Sequence, residues 1–397
     1  MEAFSIGTIS SMDLYESNKE YIESAFGRAE CDYMRELYQQ DDDSKKNIRS
    51  FTNAYIATTK WVHQQETEIE EPLTFEKDKV NVVWGDCKEA LKRFPSESVG
   101  LMVTSPPYYN AREYSTWPTL QAYLDDMRAV IREAYRVLDN HRVIVWNVSD
   151  IVDNDNMEEI KCWGERKIPL GAYFIKIFEE EGFRFTDDII WDKGEVQSSR
   201  NKNKPYPFFQ YPINCYEHIL IFHKHRLESD TRYPCSDCGS LNVKSNSYTY
   251  KGLRSWECCN RECNRSESDR GKRYSLKTII TQDEEVREES RVPTDIATLW
   301  RRDICRLPPV VKINSKKENK LGHTAPFPKA IPEMAVNFYS YKGDVVLDMF
   351  GGSFTSAIVA TQAGRIGVGI ELRKDLFEEC IRNHIESNGL VLSETTA

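Results

Sequence analysis

The chain has 397 residues, 40% of them apolar and 11% aromatic, which is enough for about two or three globular domains with a substantial core. Its formal charge of −10 at pH 7 argues against a protein that coats nucleic acid uniformly, and no apolar run approaches the roughly 20 residues of a membrane-spanning helix. The opening stretch lacks the basic flank and apolar block of a secretory signal, so a cytoplasmic protein with no membrane association is expected.

Residues 1–75 read as an acidic helical extension. Tyr21, Ile22, Ala25 and Phe26, then Met34, Leu37 and Tyr38, recur at helical spacing, broken by the acidic run Asp41 to Asp43, and residues 1–80 hold 17 Asp/Glu against 9 Lys/Arg. From Val80 the texture becomes α/β. A strand over 80–85, a helix over 88–94, a strand over 99–108 and a long amphipathic helix over 119–138 are predicted, followed by strand 142–150, helix 171–182 and strands 183–191 and 215–224. Alternation of this kind implies a doubly wound, mostly parallel sheet covered on both faces. Residues 225–320 break the pattern with Cys, Ser, Arg and Asn, and residues 224–280 carry 12 Lys/Arg against 7 Asp/Glu. After this insert the order strand, Gly-rich turn, helix, strand resumes. The expected organisation is an extension 1–75, a first half-domain 76–224, an insert 225–320 and a second half-domain 321–397.

In the second half-domain an apolar strand over 344–347 runs into Asp348-Met349-Phe350-Gly351-Gly352-Ser353 and a helix, and the next strand ends at Glu371. This is the layout of a nucleotide-type cofactor site: glycines admit the ligand to the backbone, helix amides face it, and the acid can accept both ribose hydroxyls. Phe354 stands where a dinucleotide fingerprint has its third glycine, and there is no Walker lysine, so a pyrophosphate would fit poorly. By itself such a turn is a weak signal. In the first half-domain Ser105-Pro106-Pro107-Tyr108 follows a strand, at the edge where open α/β sheets bind ligands. The two prolines remove backbone donors and leave acceptors. The Ser105 hydroxyl and the Pro106 carbonyl can take hydrogen bonds from one exocyclic amino group, and the Tyr108 ring can stack on the base that bears it.

Five of the eleven cysteines fall between Cys235 and Cys263, a density that points to one metal site in a reducing compartment. Cys235-x2-Cys238-Gly239 followed by a second close cysteine group matches a four-thiolate structural Zn2+ site. Cys235, Cys238, Cys258 and Cys263 are the expected ligands; Cys258 is preferred to Cys259 because W-x-C-x-N-x-x-C resembles zinc ribbons. His63, His141, His223 and His225 lack partner spacing for a catalytic or metal role, and Trp146, Phe185 and Trp191 are expected in the core.

Taken together, Ser105–Tyr108 preceding Asp348–Ser353, with Gly85-Asp86-Cys87, the Tyr216–Leu220 strand and Gly322–Pro328, resembles the amino-methylating DNA methyltransferases that use S-adenosylmethionine, in the permuted order of the β class. The resemblance covers roughly residues 78–385. It implies a Rossmann-like methyltransferase fold in which Asp86, Cys87, Asp348, Phe350, Gly351, Gly352, Ser353, Thr355 and Glu371 form the S-adenosyl-L-methionine site. Ser105, Pro106, Pro107 and Tyr108 would act on a base flipped out of double-stranded DNA, and the zinc-stapled insert would read the target. A homodimer and a cognate restriction endonuclease are further partners it admits. Phe354 departs from the common F-x-G-S-G-T-T form, which bears on the cofactor contacts there. Serine at the head of the catalytic motif resembles the cytosine-N4 subgroup more than the adenine-N6 one, and a non-catalytic DNA-binding protein with a degenerate pocket is the alternative of another class.

Overall fold

The computed structural model describes residues 71–109, 117–153, 166–194, 207, 214–224, 234–235, 237–248, 254–263, 271–275, 284–310 and 327–397. The expected N-terminal helices over Tyr21 to Tyr38 lie outside them. The chain divides into two compact units, one comprising 66–225 with 290–397 and the other 1–65 with 226–289.

The larger unit begins with β1 (Lys79–Trp84), α1 (Cys87–Lys92), β2 (Val99–Thr104), α2 (Leu120–Val137) and β3 (Leu138–Val148). A short hairpin of β4 (Ile151–Asp153) and β5 (Arg166–Ile168) leads to α3 (Leu170–Glu180), β6 (Phe183–Asp192) and β7 (Tyr216–Lys224). The smaller unit supplies β8 (Val243–Tyr248), β9 (Arg254–Cys258), β10 (Arg273–Ser275) and the short α4 (Glu284–Glu289). The chain then returns with α5 (Thr294–Leu299), β11 (Ile304–Arg306), α6 (Ala330–Tyr339), β12 (Val345–Asp348), α7 (Thr355–Gln362), β13 (Ile366–Glu371), α8 (Lys374–Ser387) and β14 (Val391–Thr396).

Among the described residues the large sheet has nine strands in the order β11-β6-β7-β3-β2-β12-β13-β1-β14, and only β7 runs antiparallel to its neighbours. Side-chain alternation explains why both faces are covered. Leu101, Val103, Val143, Val145, Ile219 and Ile221 point to one face, beneath Ile331, Met334 and Ala335 of α6. Met102, Ile144, Trp146, Leu220 and Phe222 point to the other, against Met127 and Ile131 of α2 and Phe174 and Phe178 of α3. The buried residues of α2, from Leu120 through Tyr123, Met127, Ile131 and Ala134, follow the three-to-four spacing of an amphipathic helix, and Thr119 caps it by accepting from the Ala122 N–H at 3.0 Å.

Two differences from the sequence reading have clear causes. Residues 294–307, assigned from sequence to the insert 225–320, belong to the large sheet: β11 pairs with β6, Trp300, Cys305 and Leu307 are buried on the α6 face, and the Trp191 indole donates to the Leu307 carbonyl at 2.9 Å. So short a strand leaves too little alternation to read. The strand expected over 344–347 runs instead over 345–348. Asp344 stands before it, its carboxylate holding Arg142 at 3.0 Å and accepting from the Tyr341 N–H at 2.7 Å.

Candidate active site and cysteine cluster

Adjacent strands β3, β2, β12, β13 and β1 all deliver their carboxyl ends to one edge of the sheet. Thr104 closes β2, Asp348 closes β12 and Glu371 closes β13, while Gly85 and Asp86 follow β1. The Gly85 N–H donates to the Glu371 carbonyl at 3.0 Å, so the Asp86-Cys87 turn adjoins the acid at the end of β13.

Asp348 is 2% exposed. Its Oδ1 accepts from Thr104 Oγ1 at 2.7 Å and from the Phe350 N–H at 3.1 Å, and its Oδ2 accepts from Ser356 Oγ at 2.8 Å. Burial pushes its carboxyl above the usual range, against the pull of those three donors. The carboxylate expected to touch the cofactor therefore faces inward. It ties the strand before Ser105 to the turn after Asp348. Neither Thr104 nor Ser356 was anticipated from sequence; a hydroxyl just before the Pro-Pro motif, on an otherwise apolar strand, is the signal that could have found the first.

Within the turn Gly352 adopts φ +51°, and its N–H donates to Glu371 Oε2 at 3.0 Å. Glu371 Oε1 accepts from the Arg373 N–H at 3.0 Å. Burial raises the Glu371 carboxyl, while the amides that bond to it oppose the rise. Phe350 is half-buried with its ring edge-on to Trp146, the Gly351 N–H donates to the Ile370 carbonyl at 2.7 Å, and the hydroxyls of Ser353 and Thr355 share a hydrogen bond of 2.8 Å. Asp86 caps α1, accepting from the Lys88 N–H at 2.8 Å; burial pushes the adjoining Cys87 thiol up to about 12.

Phe354 has a left-handed backbone, φ +59°, an unfavourable setting for a side chain by roughly 1–2 kcal/mol. Its ring is fully buried among Val80, Val82, Trp84, Ile358, Ile381 and Ile385, which offsets that cost. Gly369 is needed opposite it, because a Cβ there would stand 2.5 Å from the ring. The residue that suggested a degenerate pocket thus serves as a core side chain.

In the other half of the site Ser105, Pro107 and Tyr108 are half-buried and Pro106 is buried. The Tyr108 hydroxyl donates to Glu217 Oε2 at 3.1 Å, and Lys193 Nζ donates to Glu217 Oε1 at 3.0 Å. Burial and the Glu217 charge raise the Tyr108 phenol well above its ordinary range. The sequence reading includes Glu217 in the Tyr216–Leu220 strand but gives neither it nor Lys193 a role, although an acid at the start of an apolar strand is a visible anomaly. Of the Gly322–Pro328 segment, only Phe327 and Pro328 are described.

In the smaller unit, β10, β9 and β8 form an antiparallel sheet beside two cysteine turns. Gly239, at φ +67°, closes the first by donating to the Cys235 carbonyl at 2.9 Å; the second brings the Cys263 N–H to the Asn260 carbonyl at 3.3 Å. The sulfurs of Cys235, Cys238, Cys258 and Cys263 all lie within 4.8 Å of one another, with Cys235 to Cys263 at 3.8 Å and Cys238 to Cys258 at 3.7 Å. Four thiolates around Zn2+ at about 2.3 Å would be separated by about 3.8 Å, so the donor set fits a tetrahedral ion. Cys259 is outside the group and turns its sulfur toward the Glu257 carbonyl. Part of the basic surplus is paired: Glu257 lies between Lys244 at 3.2 Å and Arg273 at 3.5 Å.

Among the described residues no helix is long and apolar enough to cross a membrane. Against known proteins, the chain is 40% identical over 303 residues to the type II beta methyltransferase M.BslI of Bacillus sp. (strain NEB-606), a match that spans 76% of this chain and 27% of that protein. It is 23% identical over 318 residues to the DNA adenine methyltransferase YhdJ of Escherichia coli (strain K12), covering 79% and 85% of the two chains. In fold it is similar to TTHA0409 of Thermus thermophilus, solved in complex with S-adenosyl-L-methionine, with a TM-score of 0.50, 24% identity and coverage of 79% and 99%. Residues 99–382, which include both the Ser105–Tyr108 loop and the Asp348–Glu371 turn, match the family model described as DNA methylase, and the chain belongs to that N6/N4 DNA methylase family.

Proposed function

We propose that the protein transfers a methyl group from S-adenosylmethionine to an exocyclic amino group of a flipped-out base in double-stranded DNA, cytosine N4 being favoured and adenine N6 the alternative. The observation that carries this reading is the Thr104–Asp348 hydrogen bond, which joins the Ser-Pro-Pro-Tyr loop to the Gly-rich turn across neighbouring strands. S-adenosylmethionine supplies an electrophilic methyl group on a sulfonium. Glu371, with the Gly352 turn, has the geometry to bind its ribose, and Asp86 and Cys87 lie beside Glu371. The amino nitrogen of the base is itself the nucleophile, so the protein's task is to orient it. Ser105 and the Pro106 carbonyl accept its hydrogens, concentrating the lone pair toward the methyl, while the Tyr108 ring stacks on the base. The base must leave the helix because that nitrogen is paired within it.

The choice of cytosine N4 rests on serine at the head of the motif. Zn2+ held by Cys235, Cys238, Cys258 and Cys263 would staple a target-reading module and take no part in the chemistry. The experiment is to incubate the protein with methyl-labelled S-adenosylmethionine and DNA, digest the DNA to nucleosides and identify the labelled base by mass. N4-methylcytosine is expected, and N6-methyladenine would change the target base. Label neither bound by the protein nor found in DNA would replace the enzyme with a DNA-binding protein whose pocket is degenerate. Tyr108→Ala should lose about ten- to a hundredfold in turnover with cofactor affinity retained, since the stacking face goes while the residues proposed to hold the cofactor stay.

A further inference from the structure

The reading above leaves Tyr108 as a stacking face, a task for which its hydroxyl is dispensable. Yet that hydroxyl is not left to water. It donates to Glu217 Oε2 at 3.1 Å, and the second oxygen of the same carboxylate accepts from Lys193 Nζ at 3.0 Å. The Glu217 and Lys193 side chains are only 14% and 17% exposed.

The three residues come from separate stretches of chain, and the two that receive Tyr108 are fixed by the sheet. Glu217 lies in β7 directly opposite Trp191 of β6. Lys193 follows β6, donates its backbone N–H to the Cys215 carbonyl at 2.8 Å, and holds its ammonium 5.9 Å from the Trp191 ring. Lys193 neutralises Glu217 without using the oxygen that receives Tyr108. On the other side, Tyr108 leaves a segment stiffened by Pro106 and Pro107.

We infer that Glu217, set by Lys193, is a positioning residue that fixes where the Tyr108 ring stands before the base arrives, a role that rests on the proposed function. Anchored at its Cα by the proline segment and at its hydroxyl by the sheet, the ring cannot swing about its Cα–Cβ bond. The hydroxyl lies on the axis of the ring, so the bond to Glu217 fixes the ring's place without itself covering a face. A ring held ready loses less entropy when the base enters, and the benefit falls on the bound geometry of the reacting amino group. The same logic gives tyrosine an advantage over phenylalanine at this position.

The test combines a readout independent of turnover with a kinetic cycle. In protein labelled at the tyrosine ζ carbon, the Tyr108 signal is identified by its loss in Tyr108→Phe, and it should shift in Glu217→Ala. In methylation assays Tyr108→Phe and Glu217→Ala should each lower kcat about tenfold with little change in KM for DNA or in cofactor affinity. The double variant should be no slower than the slower single variant, and Glu217→Gln, which keeps an acceptor, should recover part of the loss. An unchanged Tyr108 signal, a Glu217→Ala turnover within twofold of the wild type, or additive losses in the double variant would overturn the role. Absence of methyl transfer by the unmodified protein, with cofactor bound, would overturn the function and this role with it.

Discussion

On β7 of the large sheet four successive residues, Ile219, Leu220, Ile221 and Phe222, are fully buried between helices, and the Phe222 ring stacks on Phe178 with centroids 3.9 Å apart. Among the described residues of the cysteine unit, the buried hydrophobic cluster is Val243, Trp256 and Tyr274 together with Cys235, Cys258 and Cys263. A fully buried aliphatic or aromatic side chain contributes about 1.5–3 kcal/mol, so the core of the large unit is a far greater source of stability than the three apolar residues beside the cysteines. The two units hold their functional groups by different means: Asp348 and Glu371 are placed by strands packed on an apolar core, whereas half of the buried cluster around the four thiols is cysteine.

Loss of the metal should have the strongest consequence. Zinc ligation in small four-ligand modules is worth about 10–16 kcal/mol at neutral pH, most of it folding free energy. Cys238→Ser, or a strong chelator, should therefore release zinc and open the segment around residues 234–275 to protease, as followed by metal analysis and peptide mapping. Binding of S-adenosylmethionine, measured by calorimetry, should be unchanged, because the residues proposed to hold it belong to the other unit. Purified protein without zinc, or a Cys238→Ser variant that methylates DNA normally, would remove the distinction.

The same contrast explains what could be read from sequence. Strands β1, β2, β3 and β7 were legible because each carries a run of apolar residues several positions long, β6 by its Ile189-Ile190-Trp191 end, β13 by Ile366, Val368 and Ile370 alternating with glycine, and α2 because its stripe extends over five turns. The cysteine grouping was legible because ligand spacing is local. What escaped is contact over distance. The inward turn of Asp348 depends on Thr104, 244 positions earlier, and the anchoring of Tyr108 depends on Glu217, 109 positions later. Phe354 looked like a defect in a glycine pattern, since nothing local shows that Gly369 clears space for its ring. Strands β11 and β14 went unpredicted because an edge strand buries too little to leave an alternating pattern; Ile304 and Val391 are both exposed.

The cofactor edge of the large unit should respond more weakly than the cysteine unit. Glu371 already accepts two backbone N–H bonds, and the ribose hydroxyls would be further donors to the same carboxylate. Hydrogen bonds to a charged group contribute about 1.5–3 kcal/mol, so Glu371→Gln should weaken S-adenosylmethionine binding roughly tenfold or more by calorimetry, with zinc content unaffected. Unchanged affinity would move the ribose elsewhere along the edge.

The smallest effect concerns charge within the large unit. His218, on β7, has its Nδ1 2.9 Å from Asp188 of β6 and its Nε2 3.7 Å from Asp150, which follows β3 and also accepts from the Gly171 N–H. Burial draws the imidazole down, but hydrogen bonds and attraction from Asp150 and Asp188 outweigh it and hold the ring at about 9, above its ordinary 6.5. Tyr216 stands edge-on to the ring, and Lys167 of β5 adds a positive charge near Asp150. Because the folded protein holds this proton more tightly than the unfolded chain, the pair's stabilisation is complete below about pH 6.5 and fades as pH rises through about 9. In the acid direction Asp150, whose carboxyl lies below its usual range because the opposing pull of His218 and the Gly171 amide exceeds the burial cost, loses its contribution as pH falls through that lowered value. The upper limit is roughly 3 kcal/mol, and solvent screening of these partly exposed groups reduces it to about 1–2 kcal/mol. His218→Asn should therefore be less stable than the wild type in urea at pH 6.5, and the gap should narrow by pH 9.5. An equal gap at both pH values would mean that His218 contributes through packing against Gly171, where a Cβ would come within 2.8 Å of the imidazole, and not through its charge.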